Sequence, residues 1–127
     1  WATRAEPLQA SPLMLRIHPE FGLWHAYRFA LALPVALPDD LPAFTHVPAT
    51  ARSDLCLTCD GQPCLSACPA NALGAAGYDV PRCHDWLDGE GQECLSGGCL
   101  VRRACPAARG HARMREQSAY HMGQFHR

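Results

Sequence analysis

Eight cysteines, all between positions 56 and 105 of 127 residues, are the side chains of this sequence best suited to chemistry. The first four lie in Cys56-Leu57-Thr58-Cys59-Asp60-Gly61-Gln62-Pro63-Cys64-Leu65-Ser66-Ala67-Cys68-Pro69, which reads C-x2-C-x4-C-x3-C-P. The other four are Cys83, Cys94, Cys99 and Cys105, spaced C-x10-C-x4-C-x5-C and again followed by a proline, Pro106. A tight C-x2-C loop can wrap successive thiolates around a multi-atom iron-sulfur core. A proline after the last cysteine ends such a loop and sends the chain elsewhere. The small residues Gly61, Ser66 and Ala67, and Gly97 and Gly98 before Cys99, let backbone N–H groups come close to sulfur.

Two other chemistries use the same residues. Four disulfides are the default for a small secreted chain, but bridges need neither C-x2-C pairs nor Cys-Pro ends. Zinc accepts four thiolates, and the first motif is spaced much like a zinc knuckle. A knuckle, however, has His where Cys64 stands, and the second set would have to reach from Cys83 to Cys94. The histidines add little. His121 and His126 are five residues apart and off a common helical face, and His84 beside Cys83 reads first as a solvated side chain. Arg102 and Arg103, close to Cys99 and Cys105, can offset the charge of a cluster or simply be solvated. No Ser-His-Asp set, phosphate-binding loop or close carboxylate pair stands out, so no catalytic residue is assigned.

The elements that must hold these cysteines fall into three stretches. Residues 1–51 contain no Cys and hold most of the large apolar residues. Leu13, Leu15 and Ile17 alternate with Met14, Arg16 and His18, which predicts a strand with one buried face. Pro19-Glu20-Phe21-Gly22 supplies turn chemistry, and the run Leu23 to Leu33 is expected to return as the second strand of a β-hairpin. Leu23, Tyr27 and Leu31 also fit one helical face. Pro34, Pro38, Pro42 and Pro48 then forbid a long helix or central strand and make a surface connector. Residues 52–109 carry every cysteine and most of the glycines, with few bulky side chains from which to build an ordinary core. Residues 110–127 are expected to form a helix or tail docking through Met114, Tyr120, Met122 and Phe125. Trp24, Tyr27, Phe29 and Trp86 are expected to be core residues or to cover a metal site.

The totals agree with a folded chain: apolar residues make up 48% and charged residues 18%. A formal net charge of −1 offers no basic field for nucleic acid, so no nucleic-acid partner is expected. All eleven basic residues are Arg, for which we have no functional account. No run reaches the roughly 18 apolar residues of a membrane span, so no membrane insertion is expected, and the location expected is cytoplasmic. The sequence starts at Trp1, which suggests a piece of something longer.

Residues 56–69 resemble the bacterial two-cluster ferredoxins. More widely, residues 11–106 are similar to the C-terminal ferredoxin module of epoxyqueuosine reductase and reductive dehalogenases. The likeness runs through Ser11-Pro12-Leu13 to Tyr27, His18-Pro19-Glu20-Phe21-Gly22, the first motif, Asp79-Val80-Pro81-Arg82-Cys83 and a late Cys-rich run. In bacterial two-cluster ferredoxins the fourth Cys of each run ligates the other cluster. The resemblance thus implies that Cys56, Cys59, Cys64 and Cys105 hold one 4Fe-4S cluster and that Cys68, Cys83, Cys94 and Cys99 hold the other. The expected fold is α+β, a small two-cluster ferredoxin-like domain preceded by a β-hairpin and a Pro-rich connector. The expected function is a single-electron relay without catalytic activity of its own, between a redox protein donor and acceptor. An alternative is the reducing module of a larger corrinoid-dependent or related reductase, partnered by a reductase domain or subunit. A zinc-stabilised binding module is the third reading.

Overall fold

The computed structural model describes residues 2–35, 54–74, 77–107 and 109–127. Most of the Pro-rich connector expected after Leu33 lies outside these residues. The described part is a loose α+β arrangement of short elements. A short helix α1 (Ala2–Ala5) precedes β1 (Gln9–Ala10) and β2 (Arg16–Ile17), and β3 (Leu73–Gly74) and β4 (Gly77–Tyr78) follow a 3-10 turn at Pro63–Leu65. Then come α2 (Val80–Asp88), α3 (Gln92–Gly97), α4 (Leu100–Ala104), a 3-10 turn at Arg109–His111 and the closing helix α5 (Arg115–Phe125). The strands form two separate antiparallel pairs, β1 with β2 and β3 with β4.

The N-terminal hairpin differs from the sequence expectation. β2 pairs backwards with β1, Gln9 opposite Ile17, and residues 24–33 are in neither a strand nor a helix. The cause is a turn inside the alternating run. Met14 takes a left-handed φ of 59°, its N–H donates to Ser11 O, and the Ser11 N–H and hydroxyl both donate to Leu15 O. Pleat alternation is lost there, so Leu13 and Ile17 are buried while Leu15 is exposed. Tyr27 and Phe29, expected inside or over a metal site, are exposed because the segment carrying them has no partner strand.

His18-Pro19-Glu20-Phe21-Gly22 does form a tight reversal, closed by reciprocal backbone bonds between His18 and Gly22 at 2.9 Å. The His18 ring organises it. Nδ1 accepts from the N–H groups of Glu20 and Phe21, both at 3.0 Å. That leaves Nε2 to donate to Glu6 Oε2 at 2.9 Å, and the same carboxylate oxygen accepts from the Tyr27 hydroxyl at 2.8 Å.

One apolar cluster joins this segment to the Cys-rich part. Leu13, Ile17 and Leu23 pack with Cys64, Val101 and Cys105. Each large aliphatic side chain buried this way contributes about 1.5–3 kcal/mol. The bulk that the Cys-rich stretch lacks therefore comes from the N-terminal hairpin.

The helices pack mainly on one another. α5 lies against α3, and α4 against the 3-10 turn that carries Cys64. Ser118 is the buried residue of α5, and Phe125 stacks on Tyr78 and meets the His84 ring edge-on at 4.8 Å. Tyr120, expected to dock, is exposed because Ser118, Met122 and Phe125 share a helical face that it does not, and Met114, at the N-cap ahead of the helix, is exposed as well. Bonds from Arg115 to Ser96 Oγ and between His126 and Asp88 fasten the two ends of the helix. Among the described residues no helix is long and apolar enough to cross a membrane.

Candidate metal centres

The first motif is shaped by short-range bonds. Asp54 O accepts from the N–H groups of Leu57 and Thr58, which closes a turn around Cys56. Gly61 and Gln62 take successive left-handed φ values of 63° and 38°. The Gln62 side-chain amide then reaches back to Cys56 O at 2.7 Å. This double reversal folds the C-x4-C loop so that Cys64, on the 3-10 turn, comes beside Cys56 and Cys59. Four residues on, Cys68 leaves the loop, with Pro69 preventing any helical continuation.

The second motif is spread over three helices. Asp79 caps α2 by accepting from Arg82 N–H at 3.0 Å, which sets Cys83 in the first turn of that helix. Cys94 lies on α3. Gly98 ends α3 with φ 90° and ψ 165°, a region open essentially only to glycine, and its N–H bonds to Cys94 O. Cys99 sits at the N-cap of α4 and Cys105 at its C-cap, in extended backbone where Pro106 stops the helix.

These elements gather the eight thiols into two sets around two cavities. Cys56, Cys59, Cys64 and Cys105 line one of about 550 Å³, site I. Cys68, Cys83, Cys94 and Cys99 line another of about 290 Å³, site II. These are the same two sets that the crossed assignment groups. Cys68 leaves the first motif for the second cavity, and Cys105 leaves the second motif for the first. All eight cysteines are free thiols in the structure.

The electrostatics follow the same partition. Burial pushes the Cys56 thiol up, and the neighbouring thiols of Cys105, Cys64 and Cys59 add to this when ionised. Cys64 is raised by burial and then by Cys105 and Cys59, opposed by the Cys64 and Leu65 N–H groups. In site II burial raises Cys83 against a hydrogen bond from the Tyr78 hydroxyl, and Cys99 and Cys68 raise it further. Burial also raises Cys94, opposed by the Leu100 N–H and reinforced by Cys99, Cys83 and Cys68. In both sites each thiolate makes the next harder to form, so a full thiolate set needs positive charge in the cavity.

Among the described residues no three His, Cys, Asp or Glu side chains converge closely enough to hold a metal ion. Two features bear on the fit of a polynuclear iron-sulfur group. The donors are four soft sulfurs per cavity, the set that such clusters take. N–H and O–H donors also face sulfur: Ala72 N–H reaches Cys68 Sγ at 3.4 Å, and Tyr78 and Leu100 bond the sulfurs of Cys83 and Cys94. Trp24, which lines site II, has a buried indole N–H with no hydrogen-bond partner among the described residues, a donor left for whatever fills the cavity. The residues fit the group.

Sequence reasoning missed Tyr78, Arg113, His121 and Met122, all of which line site II. The Tyr78 phenol is pushed well above its ordinary range, first by burial and then by its bond to Cys83. Its position just before Asp79-Val80-Pro81-Arg82-Cys83 was the one available signal. Trp24 and Trp86 line site II as cover residues should, as do Arg102 and Arg103. His84 packs against Phe125 and His126. No protein-family model, curated protein or solved structure gives a significant match to the chain.

Proposed function

We propose that the chain is an iron-sulfur protein of the two-cluster ferredoxin type. Within that class it acts as a single-electron relay, with a 4Fe-4S cluster at site I and another at site II. The observation that carries this reading is the separation of eight thiols into two interleaved sets of four, each around its own cavity. When bound, each cubane supplies a one-electron redox couple.

The chain's own residues would do the rest. Cys56, Cys59, Cys64 and Cys105 hold one group, and Cys68, Cys83, Cys94 and Cys99 the other. Leu13, Ile17 and Trp24, from the N-terminal segment, line the cavities and keep water from sulfur. Exchanging Cys68 and Cys105 ties each motif to both groups, so metal uptake and folding become one process. With all eight thiols used as ligands, none is left for catalysis. A redox donor and a redox acceptor are the partners this role needs. Anaerobic iron and sulfide analysis with visible and paramagnetic-resonance spectra, before and after dithionite, tests the reading.

One observation favours the narrower role of reducing module in a larger reductase. Phe29 and Leu31 are 80% and 81% exposed in a run continuing through Leu33 and Val35, an apolar surface suited to a neighbouring subunit or domain. Co-purification of the native full-length protein tests this: a corrinoid or a reductase subunit retained through size-exclusion supports it, and a chain migrating alone opposes it.

A further inference from the structure

We propose that Arg102 and Arg113 make the two iron-sulfur sites electrostatically unequal, so that site II accepts an electron before site I does. This rests on the two-cluster reading above and adds a direction to it.

The cations of the described structure are unevenly shared between the cavities. Arg102, Arg103 and Arg113 line site II. Site I has one arginine, Arg109, and one carboxylate, Asp60, which offset each other. Of the site II arginines, Arg103 is held 3.6 Å from Glu93. Arg102 and Arg113 form no salt bridge among the described residues, nor does Arg28. Arg113 is partly buried, and that burial, followed by the charges of Arg102 and Arg28, lowers its pKa. Desolvation and then Arg113, Arg28 and Arg102 lower His121 as well, so the arginines and not this ring carry the positive charge.

Arg102 and Arg113, both lining site II, have no carboxylate partner among the described residues. The cavity they share with four thiols supplies an anion, because a cubane with four thiolates is anionic and becomes more so by one charge on reduction. Fixed positive charge therefore favours the reduced form at site II. Hydrogen bonds to sulfur do not separate the sites: Tyr78, Ala72 and Leu100 bond Cys83, Cys68 and Cys94 in site II, and the Cys64 and Leu65 N–H groups bond the Cys64 sulfur in site I, so the fixed charge decides. Burial of the cysteines does not oppose this. Site I has two buried cysteines, Cys64 and Cys105 at 8% and 7% exposure, against one in site II, Cys94 at 8%. One electron from a one-electron donor is gained per cluster, with no bond made or broken and no proton required.

The test is a potentiometric titration of the anaerobically loaded chain, followed by paramagnetic resonance. Two separate one-electron waves are expected. Arg113→Gln should shift the more positive wave downward and leave the other in place, whereas Arg113→Lys, which keeps the charge, should hold it near its original position. Arg109→Gln should move only the more negative wave. If Arg113→Gln fails to load, Arg102→Gln provides the same comparison. Coincident waves in a fully loaded chain, or an Arg113→Gln variant that moves only the lower wave or both equally, overturn the inequality but not the two-cluster reading. A chain that takes up no iron and sulfide removes both.

Discussion

Cys64 and Cys105 are buried in the same apolar cluster and line the same cavity, although they belong to different cysteine motifs. The contact of α4 with the 3-10 turn at Pro63–Leu65 brings them together. Cys68 makes the opposite exchange, so each motif completes the other's site.

Single substitutions should report that exchange. Cys105→Ala should remove the site I group and Cys68→Ala the site II group, each leaving about four of about eight iron atoms. Paramagnetic resonance should find the signal lost in Cys68→Ala to be the same one lost in Cys83→Ala, although Cys68 lies in the first motif. Loss of the same signal in Cys68→Ala and Cys56→Ala would mean that the motifs are not crossed.

Gly98 is the point where α3, α4 and α5 converge. A Cβ there would lie 2.7 Å from Ser118 Cβ, on backbone that a side chain rarely adopts. Gly98→Ala should destabilise the loaded protein by about 1–3 kcal/mol from backbone strain alone, measured by denaturant unfolding. Adding Ser118→Gly should recover only the steric part. A Gly98→Ala variant as stable as the parent would show that this turn adapts.

The hairpin network makes a separate prediction. His18→Ala leaves two backbone N–H groups and the Glu6 carboxylate without their partner, at a cost of about 1–3 kcal/mol. Burial, then the bond to Glu6 and its charge, pushes the Tyr27 phenol up from 10.0 to about 12. The folded chain then keeps a proton that the unfolded chain releases. This contribution is intact below about pH 10 and is lost as pH rises through about 12. Ultraviolet titration should show two late-ionising tyrosines, Tyr27 and Tyr78, of which Glu6→Gln moves only Tyr27 back toward the ordinary range.

Which cysteines share a cavity matches the grouping that the resemblance to two-cluster ferredoxins implied, whereas thiol spacing marked only the first motif and the Cys-Pro ends, which are local properties. The hairpin was less readable. Gln9 and Ala10 carry no strand periodicity, and the turn at Met14 breaks the alternation that Leu13, Leu15 and Ile17 advertise. Arg113 and Tyr78 reach site II only through the docking of α5 and the pairing of β3 with β4, which no local pattern encodes. Ser118, the buried contact of α5, is a small polar residue that a search for apolar anchors passes over.

The thiols also set a pH dependence for loading. Burial, together with neighbouring thiolates, raises Cys56, Cys64, Cys83 and Cys94 above their ordinary 9.0, so the metal-free chain holds these protons at neutral pH. Cluster formation must release them. Anaerobic reconstitution should therefore be faster and more complete at about pH 8.5 than at about pH 6.5. Equal rates at both would mean that thiol ionisation does not limit assembly.

The most direct measurement is the metal content of the chain purified without air, together with its spectrum. The account predicts a brown protein with about eight iron and about eight acid-labile sulfide per chain. Its visible absorbance should bleach on reduction as paramagnetic-resonance signals appear. A colourless chain with stoichiometric zinc and no sulfide would contradict it.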